Sequence, residues 1–210
     1  MAAQERLALE GAAGTIETVV DHPDPAQTMA ARGIALIAHP HPLYGGSLDN
    51  KVAQTLARVF TELGYIAVRP NFRGVGASGG VHDHGNGEAD DMVAVATQMR
   101  ARCGELPVAL AGFSFGAFVQ THVARHVTPE RMVLIGLAAG LVAAGRSYAL
   151  EPVPADTILI HGEKDETVPL ANVLDWAQAQ ELPVVVIPGA DHFFHRRLHI
   201  IRNIIKGQWR

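Results

Sequence analysis

The sequence predicts an α/β fold: a doubly wound, mostly parallel sheet flanked by helices. Three observations predict it. Short, nearly continuous runs of Val, Ile, Leu and Ala recur along the chain, as strands buried on both faces require. Helical patterns fill most of the intervals between them. The 210 residues, 48% hydrophobic and 18% charged, suit one domain whose core needs neither disulfide nor structural metal.

Taken in order, residues 6–20 read as two short strands joined around Gly11 and Gly14. The buried runs follow as GIALIAH (33–39), YIAVRP (65–70), PVALAGF (107–113), RMVLIGL (131–137), TILIHG (157–162) and PVVVIPG (183–189). Helices are expected over about 49–63, 86–103, 115–126, 169–180 and 195–207. The first carries Leu56, Val59, Phe60 and Leu63 at helical spacing and stops at Gly64, a residue suited to the position just past a helix end. Val168-Pro169 opens the fourth, because proline's fixed φ suits the first helical position. The interval 138–156 is short, rich in Ala, Gly and Pro, and lacks a clear helix. No cap or lid domain is therefore expected, and residues 1–210 read as a single domain.

Composition excludes several function classes. The formal net charge is -4 and Lys and Arg are spread without a basic block, which points away from nucleic acid and from an anionic membrane surface. The apolar stretch from Met132 to Ala144 is interrupted by glycine and too short to span a bilayer. Cys103 is the one cysteine, so no internal disulfide is possible, and no basic-then-apolar leader opens the chain. A cytoplasmic protein is expected, with Cys103 packed inertly near a helix end. Nothing in the sequence sets an oligomeric state.

The candidate nucleophile is Ser114, at the centre of Gly112-Phe113-Ser114-Phe115-Gly116. A G-x-S-x-G pentapeptide recurs by chance, and a serine between a strand and a helix is often a helix cap. Here the strand ends on Phe113 and the helix begins at once. Such a turn forces the serine into a strained conformation, and its neighbours must be glycine because a Cβ there would strike backbone. The serine also sits at a helix N-terminus, which favours developing negative charge.

A serine hydroxyl needs a base, itself oriented by an acid, and in this architecture they follow in the order Ser, Asp or Glu, His. After the strand TILIHG stand Glu163, Asp165 and Glu166, of which Asp165 is best aimed by the short turn before Val168-Pro169. After the last strand stands Gly189-Ala190-Asp191-His192, making His192 the candidate base. His195 is expected to begin the last helix and His161 to lie within a strand, both as structural residues.

Acyl transfer also needs N–H donors for a tetrahedral oxyanion. Phe115 supplies one by its place after the nucleophile. The second comes from His39-Pro40-His41-Pro42-Leu43-Tyr44-Gly45-Gly46, where the prolines have no N–H. His41, Leu43 and Tyr44 remain, with His41 nearest the strand end. Leu43, Tyr44 and Phe193, together with the Phe115 ring, are candidates to line an acyl pocket. His39 and His41 as a metal pair lack a third ligand at supportive spacing, so neither metal nor cofactor is expected.

Two patterns compete for attention. Gly74-Val75-Gly76-Ala77-Ser78-Gly79 matches G-x-G-x-x-G, but its glycines do not open a helix and no acidic residue closes a second strand, against dinucleotide binding. It reads as a turn near the active site, with Ser78 as a local hydrogen-bonding residue. His82-Asp83-His84 reads as a solvated polar loop rather than a metal site.

With these residues in hand, the chain resembles the α/β-hydrolase superfamily over nearly its whole length. HPHPLYGGSLDNKV (39–52), NFRGVGASGG (71–80), GFSFG (112–116), HGEKDETVP (161–169) and GADHFFH (189–195) resemble a group of small, lidless bacterial serine hydrolases related to dienelactone-hydrolase-like proteins. The resemblance implies an esterase acting on a small-molecule ester through Ser114, His192 and Asp165. Serine replaces the cysteine of true dienelactone hydrolases, which argues against a dienelactone substrate. Thioester or peptide hydrolysis and acyl transfer use the same constellation. A non-catalytic binding module on this scaffold is the alternative from another class, and the intact Ser, Asp and His argue against it.

Overall fold

The two strands expected near the N-terminus pair as a hairpin. β1 (Gln4–Gly11) and β2 (Gly14–Asp21) run antiparallel with Gly11 opposite Gly14. The computed structural model describes residues 4–26 and 30–209. β3 (Gly33–Ala38), α1 (Lys51–Glu62), β4 (Tyr65–Pro70) and α2 (Asn86–Cys103) follow. Next come β5 (Val108–Phe113), α3 (Phe115–Val123) and β6 (Met132–Ile135). After the two-residue strands β7 (Gly140–Leu141) and β8 (Ser147–Tyr148), the chain completes β9 (Ile158–Gly162), α4 (Leu170–Gln178), β10 (Val184–Ile187) and α5 (Leu198–Gln208).

Eight strands form one sheet in the order β1-β2-β4-β3-β5-β6-β9-β10. From β4 to β10 all neighbours are parallel, and the hairpin joins antiparallel through β2. β3 and β5 are buried at every position, which explains their unbroken apolar sequence. Along β3, Ile34 and Leu36 enter one core while Ala35 and Ile37 enter the other. The first core also takes Met92 and Val95 of α2, Val119 of α3 and Val173 of α4. The second takes Leu56 and Phe60 of α1, Ile201 and Ile205 of α5, and Trp209. Each large apolar side chain so buried contributes about 1.5–3 kcal/mol relative to exposure.

Three expectations shift. The helix expected to run to 126 ends at Val123. The last helix begins at Leu198, not at His195, because Phe194 and Arg196 adopt left-handed φ values of 53° and 62° that a helix cannot contain. The interval 138–156 holds the small antiparallel pair β7–β8, whose intervening turn places Ala144 at φ 62°.

β3 lies between β4 and β5, so the chain leaves β3 in one direction and arrives at β5 from the other. Such a switch opens a crevice beyond the carboxyl ends of the strands. The loops after β3, β5, β9 and β10 all end there. Among the described residues, no helix is long and apolar enough to cross a membrane.

Candidate active site

Ser114 is the hinge between β5 and α3. Its backbone stands at φ 55° and ψ -120°, a conformation that costs a non-glycine residue of order 1–3 kcal/mol. Surrounding contacts hold it there. The Ser114 N–H donates to Ile135 O at 2.9 Å, and Ser114 O accepts from Ala117 N–H at 3.0 Å. The flanking glycines allow the close approach. A Cβ at Gly112 would stand 2.6 Å from Gly116 O, and one at Gly116 would stand 2.4 Å from the carbonyl oxygens of Ala38 and His39.

Two further loops bring the candidate acid and base. Glu163 N–H donates to Ile187 O at 3.1 Å and Lys164 N–H to Ala190 O at 2.8 Å, stitching the β9–α4 turn to the β10–α5 turn. Within the first turn, Asp165 Oδ1 accepts the N–H groups of Thr167 and Val168 at 2.9 and 2.8 Å, which fixes the carboxylate's direction. Asp165 Oδ2 is then 2.6 Å from His192 Nδ1, whose N–H donates to it. That tautomer leaves Nε2 as an acceptor for the Ser114 hydroxyl, 2.9 Å away. All three residues are buried. The competing carboxylates are elsewhere: Glu163 Oε2 caps the Gly189 N–H at 2.7 Å, and Glu166 is exposed.

A cavity of about 320 Å³ opens above the serine, lined by Pro40, His41, Tyr44, Asn50, Ser114, Arg146, Thr167, His192 and Phe193 among others. Leu43 faces a neighbouring cavity instead. The Phe115 side chain is core rather than pocket: it is 1% exposed and packs against His41, His82, Phe72 and Tyr148.

Hydrogen bonding separates the three oxyanion-donor candidates. Leu43 N–H donates to His41 Nδ1 at 3.3 Å, and Tyr44 N–H to His41 O at 3.1 Å. The N–H groups of His41 and Phe115 have no acceptor among the described residues.

Ser114, His192 and Asp165 thus form one continuous hydrogen-bond chain at the mouth of the cavity. Residues 15–143 match the family model described as X-Pro dipeptidyl-peptidase (S15 family). The chain belongs to this family, within the α/β-hydrolase superfamily. The S15 match takes in Ser114 and the loop after β3 but ends before Asp165 and His192. RP471, an uncharacterized protein of Rickettsia prowazekii (strain Madrid E), is 34% identical over 170 residues, 77% of this chain and 71% of the relative. Among solved structures, XC6422 of Xanthomonas campestris, an α/β serine hydrolase without a lid, is 37% identical. It matches with a TM-score of 0.88 over 98% of this chain and 93% of its own. An α/β serine hydrolase homologue from Coxiella burnetii is 33% identical, with a TM-score of 0.84 over 98% and 97% of the two chains.

Several histidines of this S15-family hydrolase have structural tasks. His39 Nε2 accepts the Phe72 N–H at 2.9 Å and its Nδ1–H donates to Pro40 O at 2.7 Å, so neither ring nitrogen is free for a metal. Burial pushes its pKa down to about 4. His41 is likewise pushed down to about 4, first by burial and then by His82, Arg146 and His84. His161 is fully buried behind the acid, with Nε2 3.0 Å from Val168 O and 3.4 Å from Asp165 Oδ2.

The expectation of a solvated 82–84 loop holds for the exposed Asp83 and His84 but needs correction at His82. The His82 side chain is 8% exposed, its Nδ1 lies 2.8 Å from the fully buried Glu88 carboxylate, and its ring packs on His41 and Phe115. Glu88 also accepts the N–H groups of Asp83 and Gly85, so α2 supplies a partner that the loop's own composition conceals. The glycine-rich turn is placed differently too. It packs on the β1–β2 hairpin, where Ser78 Oγ accepts the Glu17 N–H at 3.0 Å and donates to Asn71 O at 2.9 Å. None of residues 74–80 lines the cavity above Ser114.

Proposed function

We propose that this chain hydrolyses carboxylic esters of small substrates with short acyl groups, through an acyl-enzyme on Ser114. The observation that carries the reading is the continuous hydrogen-bond chain Ser114–His192–Asp165 at 2.9 and 2.6 Å, opening on a cavity that also holds His41. Ser114 Oγ attacks the carbonyl while His192 Nε2 takes its proton. Asp165 holds the imidazole as the Nδ1–H tautomer and stabilises the imidazolium that forms. The oxyanion takes the unspent N–H groups of His41 and Phe115, each worth about 10²–10³ in kcat. His192 returns the proton to the leaving alcohol. Water, activated by the same base, then releases the acid. A cavity of about 320 Å³ is near the lower end for ligand sites and favours short acyl groups.

A fluorophosphonate probe should label the native chain and not Ser114→Ala, and kcat/KM over a nitrophenyl ester series from acetate to laurate should fall with length. An unlabelled native chain removes the main support, and a laurate optimum removes the short-acyl reading. The S15 match favours peptide cleavage as a second reading. Turnover of an X-Pro nitroanilide with kcat/KM above that of every ester would establish it in place of the first.

A further inference from the structure

Arg146 stands where two cavities meet. The one above Ser114 measures about 320 Å³, and a second of about 330 Å³ is lined by Leu43, His82, His84, Phe118, Ser147 and Tyr148. His41, Tyr44 and Arg146 belong to both. Neither lining contains Asp or Glu, and Arg146 is the only Lys or Arg in either. His41 is held neutral at pH 7, so Arg146 is the permanent charge that a ligand meets there.

The guanidinium is held in place but not neutralised. It stacks over Tyr44 with 4.4 Å to the ring centroid. Its Nη1 donates to the Tyr148 hydroxyl at 3.3 Å and its Nε to Ala143 O at 3.2 Å. Arg69, Arg73 and Arg202 each reach a carboxylate, whereas Arg146 has none within 4.0 Å among the described residues, and its Nη2 has no acceptor. A planar fork already ordered on an aromatic face loses little freedom when it binds, and its spacing matches a carboxylate.

The opposite flank of the site carries the opposite charge. Beyond His192 and Phe193, a cavity of about 410 Å³ is lined by Glu166 and Asp191 against a single Lys164. An anionic group on a substrate is therefore disfavoured on one side of the nucleophile and received on the other.

We propose that the site takes carboxylic esters bearing a second, anionic group, a carboxylate, which Arg146 binds between the two cavities. The inference rests on the reading of Ser114 as an ester-cleaving nucleophile. It is tested with paired esters: nitrophenyl hemisuccinate, hemiglutarate and hemiadipate against length-matched neutral acyl esters, and carboxyphenyl butyrates against phenyl butyrate. The first set places the carboxylate on the acyl side and the second on the alcohol side. At least one anionic ester should exceed its neutral match in kcat/KM by about 10- to 100-fold, the range that hydrogen bonds to charged groups supply. That ratio should collapse towards one in Arg146→Met and keep an intermediate value in Arg146→Lys. Fluorophosphonate labelling of Ser114 with no anionic preference, or a preference that survives in Arg146→Met, overturns the assignment of Arg146 alone. Absence of both labelling and turnover overturns the ester reading beneath it and the assignment with it.

Discussion

Replacing Asp165 by Asn isolates what the carboxylate does. In the native chain Oδ1 faces two backbone donors, Thr167 and Val168 N–H, while Oδ2 faces the His192 Nδ1–H and lies 3.4 Å from His161 Nε2. An amide oxygen can satisfy only one side. The pair of short N–H bonds at 2.8 and 2.9 Å claims it, which turns the amide NH₂ towards His192. The imidazole must then accept at Nδ1 and carry its proton on Nε2, where it cannot take one from Ser114. Loss of tautomer control in such a constellation costs about 10⁴ in kcat, or about 5 kcal/mol in the barrier at 1.36 kcal/mol per decade. The assay is kcat on a short-acyl nitrophenyl ester, with the rate of fluorophosphonate labelling alongside and thermal unfolding as a check on the fold. Folded Asp165→Asn retaining kcat within tenfold of native would refute the reasoning and return the acid's role to Glu163 or Glu166.

Two further outcomes follow from backbone donors and buried rings. His41 has φ -53°, close to proline's fixed value, so His41→Pro removes the N–H with little distortion. It should lower kcat about 10²–10³-fold relative to His41→Ala, which loses the ring but keeps the N–H; equal kcat in the two variants would remove His41 as an oxyanion donor. The second concerns acid stability. Buried His39 stays neutral in the folded chain down to about pH 4, while the unfolded chain takes up this proton near pH 6.5. Stability is therefore present above pH 6.5 and lost as pH falls towards 4, by about 2 kcal/mol between pH 8 and pH 5 from this group. The pH dependence measured by urea unfolding at the two pH values, to which His41 and His161 also contribute with the same sign, should shrink by about 2 kcal/mol in His39→Gln; an unchanged difference would place the acid sensitivity elsewhere.

The strand order along the chain was legible because parallel strands buried on both faces are apolar at every position, as in β3 and β5. The pair β7–β8 was not, since strands of two residues carry no periodicity. Ser114 announced itself through Gly112 and Gly116, whose missing side chains record backbone contacts that the sequence cannot otherwise display. His82 gave the opposite signal. Its glycine-rich, polar surroundings describe solvent, and the contact that buries it comes from Glu88 on the following helix. A glutamate in the first turn of α2 was the available clue, for it accepts backbone N–H groups ahead of the helix as a capping carboxylate does. Arg146 was beyond reach of the sequence because its aromatic platform, Tyr44, lies on the loop after β3 and the cavities it joins are built from several loops.

The same division between local and distant constraints bears on how the site tolerates change. The strain at Ser114 is sustained by β5, β6 and the glycine contacts beneath it, none of which involves His192 or Asp165. The acid and base loops are joined by backbone bonds from Glu163 and Lys164 to Ile187 and Ala190, and by the close pass of Gly162 under Ala190, where a Cβ would stand 2.6 Å from the carbonyl oxygen. The His192 ring is further steadied against Phe113, with ring centroids 5.0 Å apart. Positioning therefore does not depend on the hydrogen bonds that would carry the proton. A change confined to those hydrogen bonds should silence turnover while leaving the imidazole where it stands, whereas a methyl group at Gly116 or Gly162 should displace backbone and cost stability and turnover together.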